Sequence, residues 1–448
     1  MKPCQGAKKE RPFTRGKKCG ITILRIKFFQ MSKTQQQTIT LPENNKVQEE
    51  LRKGSGLSIV NLVHLLIEQA HHMRASDIHI VPLDGGTRVR LRIDGVLQDQ
   101  HTFSEDLHSE IITRIKILSG LRTDEHQTAQ DGRFRTFIGV GTSMPIDVRV
   151  SITPTYYGEN AVLRLLSDKA EDYTLGTLGF SPENQKKIMQ AIRRPYGMIL
   201  ATGPTGSGKT TSLYTLLKTL NTPQVAIITI EDPIEYAISG IEQIQVNSRT
   251  GLTFANGLRS ILRQDPNIIM VGEIRDRETA GIAVNTALTG HLLLSTLHTN
   301  DAATTLPRLL DMGIEPYLIA STVNVAMGQR LVRKICERCR VKKNLTAAET
   351  ASLKDVLPKK EARKPLEFFE GTGCTNCNKT GYRGRVGIQE VMLMDASIRE
   401  AILRKATASE LKKIAAAKQG MTTMLEDGFD KARAGITTIE EILRMLHE

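Results

Sequence analysis

Apolar residues recur along this chain with two different periods, and the change between them divides it. From Ser58, the positions Val60, Val63, Ile67 and Ala70 repeat at helical spacing and predict an amphipathic helix. After Arg74 the chain reads as strand. Val89, Leu91 and Ile93 alternate with arginines up to Asp94-Gly95, a hairpin turn. A second helix is expected over residues 104–119, stopped by Gly120, and alternating strands follow at 148–152 and 161–166. These elements predict a mixed α+β domain over residues 55–170.

Beyond a polar linker at 171–180, Ser181-Pro182 caps a helix that runs to about Arg194, with Pro182 at its first position. Runs that are apolar at nearly every residue come next, at 198–201, 225–230, 268–271 and 292–297, with helical segments between them. Such strands predict a parallel sheet buried on both faces, so residues 181–448 read as one α/β domain. From Arg330 the pattern breaks into a cysteine-bearing segment, 330–385. Its 340–370 part is rich in Lys and Glu, and residues 395–448 read as C-terminal helices. Residues 1–54 are polar and without period and read as an unstructured tail.

Composition narrows the class. The chain has 448 residues, enough for two or three domains, and aromatics are only 4%, so the cores must be aliphatic. No apolar run approaches the roughly 20 residues of a membrane span, and Arg25 and Lys27 interrupt the one apolar stretch near the N-terminus, so no secretory signal is read. A cytoplasmic protein is expected. Net charge is +13, but residues 1–30 hold nine Lys/Arg against one Glu. That basic head reads either as a contact for nucleic acid or anionic lipid, or as an extension ahead of a natural start at Met31.

One stretch carries explicit chemistry. Gly203, Pro204, Thr205, Gly206, Ser207, Gly208, Lys209 and Thr210 fit G-x-x-x-x-G-K-[ST], between the expected strand at 198–201 and a helix that Thr211 continues. Glycines there let the backbone approach phosphate oxygens, so that successive N–H groups form an anion cradle. Lys209 is expected on the β/γ-phosphates and the Thr210 hydroxyl on Mg²⁺. Hydrolysis also needs carboxylates and cations around the transferred group. Glu273 follows the strand at 268–271, and Glu231, Asp232 and Glu235 follow the strand at 225–230. Strand-tip acids can be merely solvated, but two clusters beside a phosphate loop point to a metal-facing acid and a water-positioning base. Arg259 and Arg263 share one helix face at i and i+4, and His291 and His298 flank the buried strand at 292–297. A histidine in such a place is often a structural donor; here one of the two is expected to sense the nucleotide.

Cys336, Cys339, Cys374 and Cys377 form two C-x-x-C pairs separated by 34 residues. Four thiolates suit tetrahedral Zn²⁺. A redox pair is the alternative, though neither motif opens a helix after a strand.

Taken together, residues 203–211, 230–236, 251–265, 272–276 and 289–300 resemble the Walker A, Asp box, arginine segment, Walker B and His box of the secretion ATPases of type II secretion and type IV pilus assembly. The likeness extends to Ala75-Ser-Asp-Ile-His79, Arg92-Ile-Asp-Gly95, Gln130-Asp-Gly-Arg133 and residues 147–151, and so covers about residue 55 to the end. Ala129 departs from it, since proline is common there in the family. The resemblance implies a PAS-like N-terminal domain joined flexibly to a RecA-like P-loop core, working as a homohexamer. It implies Glu235 as base, Glu273 holding Mg²⁺ through water, and Arg133, Arg149, Arg259, Arg263 and Arg275 as cations that close on the γ-phosphate of ATP. It implies a structural Zn²⁺ on the four cysteines, as in assembly-type members rather than retraction motors.

By the same resemblance the partners are an inner-membrane platform protein and a docking protein with a cytoplasmic domain, and the place is the inner face of the cytoplasmic membrane. Residues 1–55 are too short and polar to be the further N-terminal docking domain of many family members. Two other functions remain open at this point. One is a nucleic-acid-translocating motor, raised by the pI of about 9.4. The other is a nucleotide-binding scaffold without turnover.

Overall fold

The computed structural model describes residues 44–139, 144–167, 173–346, 350 and 367–447. The basic head, the polar stretch before residue 44, the first residues of the linker and most of the Lys/Glu-rich segment lie outside them.

The polar tail expected up to residue 54 gives way earlier, to helix α1 (Asn44–Arg52). One buried apolar side chain, Val47, docks it, and the Glu50 carboxylate accepts the Ser58 N–H at 3.0 Å. Helix α2 (Ile59–His72) starts where the Ser58 hydroxyl accepts from the Asn61 N–H. Its buried stripe is Leu62, Val63, Leu66, Ile67 and Ala70. Val60, expected on that stripe, is 51% exposed, because Leu62 and Leu66 turn the apolar face away from it.

Strands β1 (Ala75–Leu83), β2 (Gly86–Ile93), β3 (Val96–Phe103), β4 (Gln130–Ile138), β5 (Met144–Thr155) and β6 (Gly158–Ser167) form one sheet in the order β3-β2-β1-β6-β5-β4, every pair antiparallel. Period-2 alternation buries one face: Ile78, Ile80, Val89, Leu91, Val148 and Val150 are nearly inaccessible. Helix α2 and helix α3 (Asp106–Ser119) supply the other apolar partners, among them Leu62, Ile111 and Ile115. Gly120 closes α3 in the left-handed conformation (φ 64°), which a glycine adopts at least cost.

The second sheet has the order β15-β12-β7-β11-β10-β8-β9. It is built from β7 (Gly197–Thr202), β8 (Ile227–Glu231), β9 (Glu242–Gln245), β10 (Ile268–Val271), β11 (Leu292–Leu297), β12 (Val323–Ile335) and β15 (Tyr382–Leu393). Every residue of β7, β8, β10 and β11 is buried. Their side chains go alternately to two cores: Met198 and Leu200 pack with Leu258, Ala283 and Ile319, while Ile199 and Ala201 pack with Ile188, Leu213 and Leu217. Each fully buried leucine or isoleucine contributes about 1.5–3 kcal/mol, so this double burial dominates the fold.

The sheet is not wholly parallel, and its pattern does not stop at Arg330. Strand β12 pairs parallel with β7 over Val323 to Gly328 and runs on to Ile335, and β15 pairs antiparallel with it from Val325 to that end. Asn324, Gln329 and Gln389 break the apolar reading of these two strands, yet all three are buried and hydrogen-bonded. Between them, β13 (Arg340–Lys343) and β14 (Phe368–Gly371) make a small antiparallel ribbon carrying the cysteines. Helices α10 (Ala396–Leu403), α11 (Ala408–Gln419), α12 (Met424–Arg433) and α13 (Ile439–His447) complete the C-terminal part.

Polar contacts join the N-terminal sheet to the larger one. The Asp94 carboxylate, in the β2–β3 turn, accepts the Gly384 N–H at 2.8 Å. Arg149 on β5 donates to the Ile234 carbonyl at 2.5 Å.

Candidate active site

The phosphate loop occupies residues 203–208, between the C-terminal end of β7 and helix α5 (Lys209–Leu220). Its glycines take positive φ at 203 (143°), 206 (77°) and 208 (86°). At Gly203 a side chain has no room, since a Cβ would stand 2.3 Å from the Gln329 carbonyl oxygen. Gln329 on β12 also donates to the Ser207 carbonyl at 3.0 Å, so the neighbouring strand fixes the loop from beneath. Pro204, Thr205 and Gly206 form the exposed crown, and Thr210 and Thr211 are half-buried at the helix start. Lys209 is buried and its ammonium donates to the carbonyls of Gly203 and Pro204 at 2.8 and 3.0 Å. Burial lowers its pKa, and the nearby Glu273 carboxylate opposes that.

The first acid cluster stands on the tip of β10, two strands from β7 and parallel to it. Glu273 is 8% exposed and is held from two sides, by Arg275 at 2.5 Å and by His298 Nε2 at 3.0 Å. His298 reaches it from the end of β11. His291 does not come to the site: it precedes β11, where its Nδ1 lies 3.2 Å from the Thr286 carbonyl. Six extended residues of about 3.3 Å each set it roughly 20 Å away, at the other end of the same strand. The expectation for the two histidines is therefore corrected for His291, which has no geometry for catalysis within this chain.

The second cluster follows β8. Glu235 is exposed, and its carboxylate lies 3.5 Å from Arg149 Nη1 of the N-terminal sheet. Four residues earlier, Glu231 is buried to 3% and accepts from Tyr214 of α5, from Thr229 at 2.6 Å and from Gln243 at 3.2 Å. Burial, then the Glu231 charge, holds the Tyr214 phenol well above its usual pKa, so it stays a donor. Gln243 also donates to the Tyr236 carbonyl at 3.2 Å, and Tyr214 meets the Tyr236 ring edge-on at 4.8 Å. This network ties the phosphate-loop helix to the loop that carries Glu235. The Thr202 hydroxyl makes a similar link, donating to the Thr299 carbonyl at 2.8 Å.

Of the other arginines, Arg133 is exposed on β4, opposite Arg149, and no ion pair is formed by it among the described residues. Arg259 on helix α6 (Phe254–Ile261) pairs with Glu278 at 2.7 Å, and Arg263 donates to the Arg259 carbonyl at 3.0 Å; both are exposed and neither touches the phosphate loop. Sequence reasoning missed Tyr214, Gln243 and Gln329. Each is held by a partner on a different element, so no local pattern marks it.

A cleft of about 820 Å³ opens beside the start of α5, lined by Gly208 and Thr211 of the loop, Arg74 and Asp94 of the N-terminal sheet, and Lys334 and Arg385.

The cysteines converge although two pairs are far apart in sequence. The four sulfurs lie within 4.8 Å of one another, with Sγ–Sγ separations of 3.8 Å (Cys336–Cys374), 3.8 Å (Cys339–Cys377) and 3.7 Å (Cys374–Cys377). A tetrahedron with Zn–S bonds of about 2.3 Å has edges of about 3.8 Å. The residues present therefore fit Zn²⁺, with no position left for water.

Comparison with known proteins gives a consistent outcome. The profile of the type II/IV secretion system protein family matches residues 53–444. A type IV pilus assembly ATPase PilB of Myxococcus xanthus is 44% identical over 405 residues, 90% of this chain and 71% of the relative. A type II secretion system protein E of Xanthomonas campestris is 46% identical over 397 residues, 88% of this chain and 68% of the relative. Among solved structures, the pilus retraction motor PilT with bound ADP aligns with a TM-score of 0.56 and 26% identity, covering 85% of this chain and 95% of that one.

Proposed function

The chain belongs to the type II/IV secretion system protein family, and we propose that it is a hexameric motor that hydrolyses ATP to drive the assembly of pilins or pseudopilins. The observation that carries this reading is Arg149: a cation from the N-terminal sheet stands 3.5 Å from Glu235, at the edge of the sheet that holds the phosphate loop. A site completed by a second domain links hydrolysis to domain movement.

In this mechanism the N–H groups of the loop and Lys209 bind the β- and γ-phosphates. Thr210 and Glu273 would hold Mg²⁺, which neutralises charge on the phosphates. Glu235 orients the attacking water and accepts its proton. Arg149 and Arg133 approach the γ-phosphate as the domains close, and Arg275 and His298 hold Glu273 in position. Arg259 and Arg263 face outward and suit a neighbouring subunit. Zn²⁺ on the four cysteines is structural. No helix among the described residues is long and apolar enough to cross a membrane. In this reading the motor acts from the inner face of the cytoplasmic membrane, through a platform protein and a docking protein. No observation favours the nucleic-acid motor.

The test is steady-state ATP turnover by the purified assembly, with its mass measured in solution. Turnover abolished in Lys209→Ala and Glu273→Ala is the expected result. ATP binding without turnover in the unaltered chain would leave only a scaffold.

A further inference from the structure

The register of the N-terminal sheet sets Arg133, Arg149, Arg164, Asp77 and Arg92 opposite one another on five successive strands. Directly paired residues share a face, so four guanidiniums stand in one row with a single carboxylate. Facing like charges repel, and the row is resolved by sending its members in different directions. Arg164 Nε donates to Asp77 Oδ1 at 2.9 Å, and Arg92 Nε lies 3.5 Å from Oδ2, which also accepts from the Ser76 hydroxyl at 2.8 Å. Asp77 stands on the polar face yet is only 4% exposed, because the two arginine stems lie over it. Arg149, next in the row, turns away instead, to the Ile234 carbonyl at 2.5 Å and Glu235 at 3.5 Å.

We propose that Asp77 and Arg164 are positioning residues for hydrolysis: their pairing keeps Arg149 on Glu235. The inference rests on the assignment of Arg149 and Glu235 to the hydrolytic site. Strands are about 4.8 Å apart, well within the reach of an arginine side chain. Without Asp77, the freed Arg164 guanidinium competes with Arg149 for Glu235 and repels it. Without Arg164, Asp77 is a buried carboxylate short of a partner, and it draws Arg149 inward. Removing both leaves neither competitor nor lure. The row thus predicts two damaging single changes that cancel.

The experiment is a double-mutant cycle on the full-length assembly, with kcat and KM for ATP and thermal melting measured for each variant. Asp77→Asn and Arg164→Gln should each lower kcat about tenfold with KM changed by less than about twofold, and the double variant should return to within about twofold of the unaltered chain. A purely packing role for Asp77 predicts additive losses, about a hundredfold together, so a double variant as slow as Asp77→Asn or slower would overturn the proposal. If Asp77→Asn fails to fold, Arg164→Lys against Arg164→Gln decides: lysine should keep kcat and glutamine should not, and equal rates would overturn it. Arg149→Gln separates the two levels. Normal turnover in that variant sinks the reading of the site itself, whereas loss of turnover there with no rescue in the double variant sinks only the role of Asp77 and Arg164.

Discussion

His298 Nε2 lies 3.0 Å from Glu273 Oε2, across the tips of two adjacent parallel strands, while His291 sits at the other end of the same strand. The two histidines therefore separate cleanly by experiment. His298→Ala should lower kcat about tenfold by freeing one side of the Glu273 carboxylate, and His291→Ala should stay within about twofold. Steady-state phosphate release measures both. Equal losses would mean that Glu273 does not depend on His298.

Glu235 is exposed and its carboxylate faces the Arg149 guanidinium, as suits a group that handles water rather than one that holds structure. Glu235→Gln should keep the affinity for a fluorescent ATP analogue and lose turnover by about 10²-fold or more, the usual contribution of a general base. Normal hydrolysis in that variant would move the base elsewhere, and Glu231, buried among three donors, would be a poor substitute.

The sulfur separations of 3.7 to 3.8 Å predict about one zinc per chain in protein purified without chelator, by elemental analysis. Cys336→Ser and Cys377→Ser should each lose the metal and lower the melting temperature, since the cysteines tie the end of β12 to the start of β15. Metal well below one per chain would reject the site.

Stability should fall in acid through His101 on β3. Its Nε2 lies 2.8 Å from Gln69 Oε1, its Nδ1 is buried without a partner, and burial lowers its pKa to about 4. The unfolded chain takes up this proton near pH 6.5 and the folded chain only near pH 4. Stability from this site is therefore present above about pH 6.5 and lost as the pH drops toward 4, by up to roughly 3 kcal/mol. Melting of His101→Gln should depend less on pH over that window than melting of the unaltered chain.

Much of this was legible before any coordinates, and what was missed has a common cause. Motifs whose chemistry dictates both residue type and spacing are the most legible: the four paired cysteines converge on one another, and Glu273 stands near Lys209 of the loop. Runs such as 292–297, apolar at nearly every position, could only be buried strands. By contrast, β12 and β15 carry buried amides whose partners lie as far off as Ser207 and Leu178, so no local pattern marks them. Tyr214 is invisible for the same reason, because its partner Glu231 sits on a different element, strand β8. His291 and His298 look equivalent in sequence, and only strand direction tells them apart.

The bond from Gly384 to Asp94 spans 290 positions of the chain. On a ribosome, every strand of the N-terminal sheet is in hand once residue 167 has emerged, and that sheet can form early as a local unit. The larger sheet cannot close its β12 edge until β15 arrives, more than two hundred residues later. Synthesis therefore imposes an order: the first domain waits, finished, and the cleft beside the phosphate loop comes into being only once β15 has emerged.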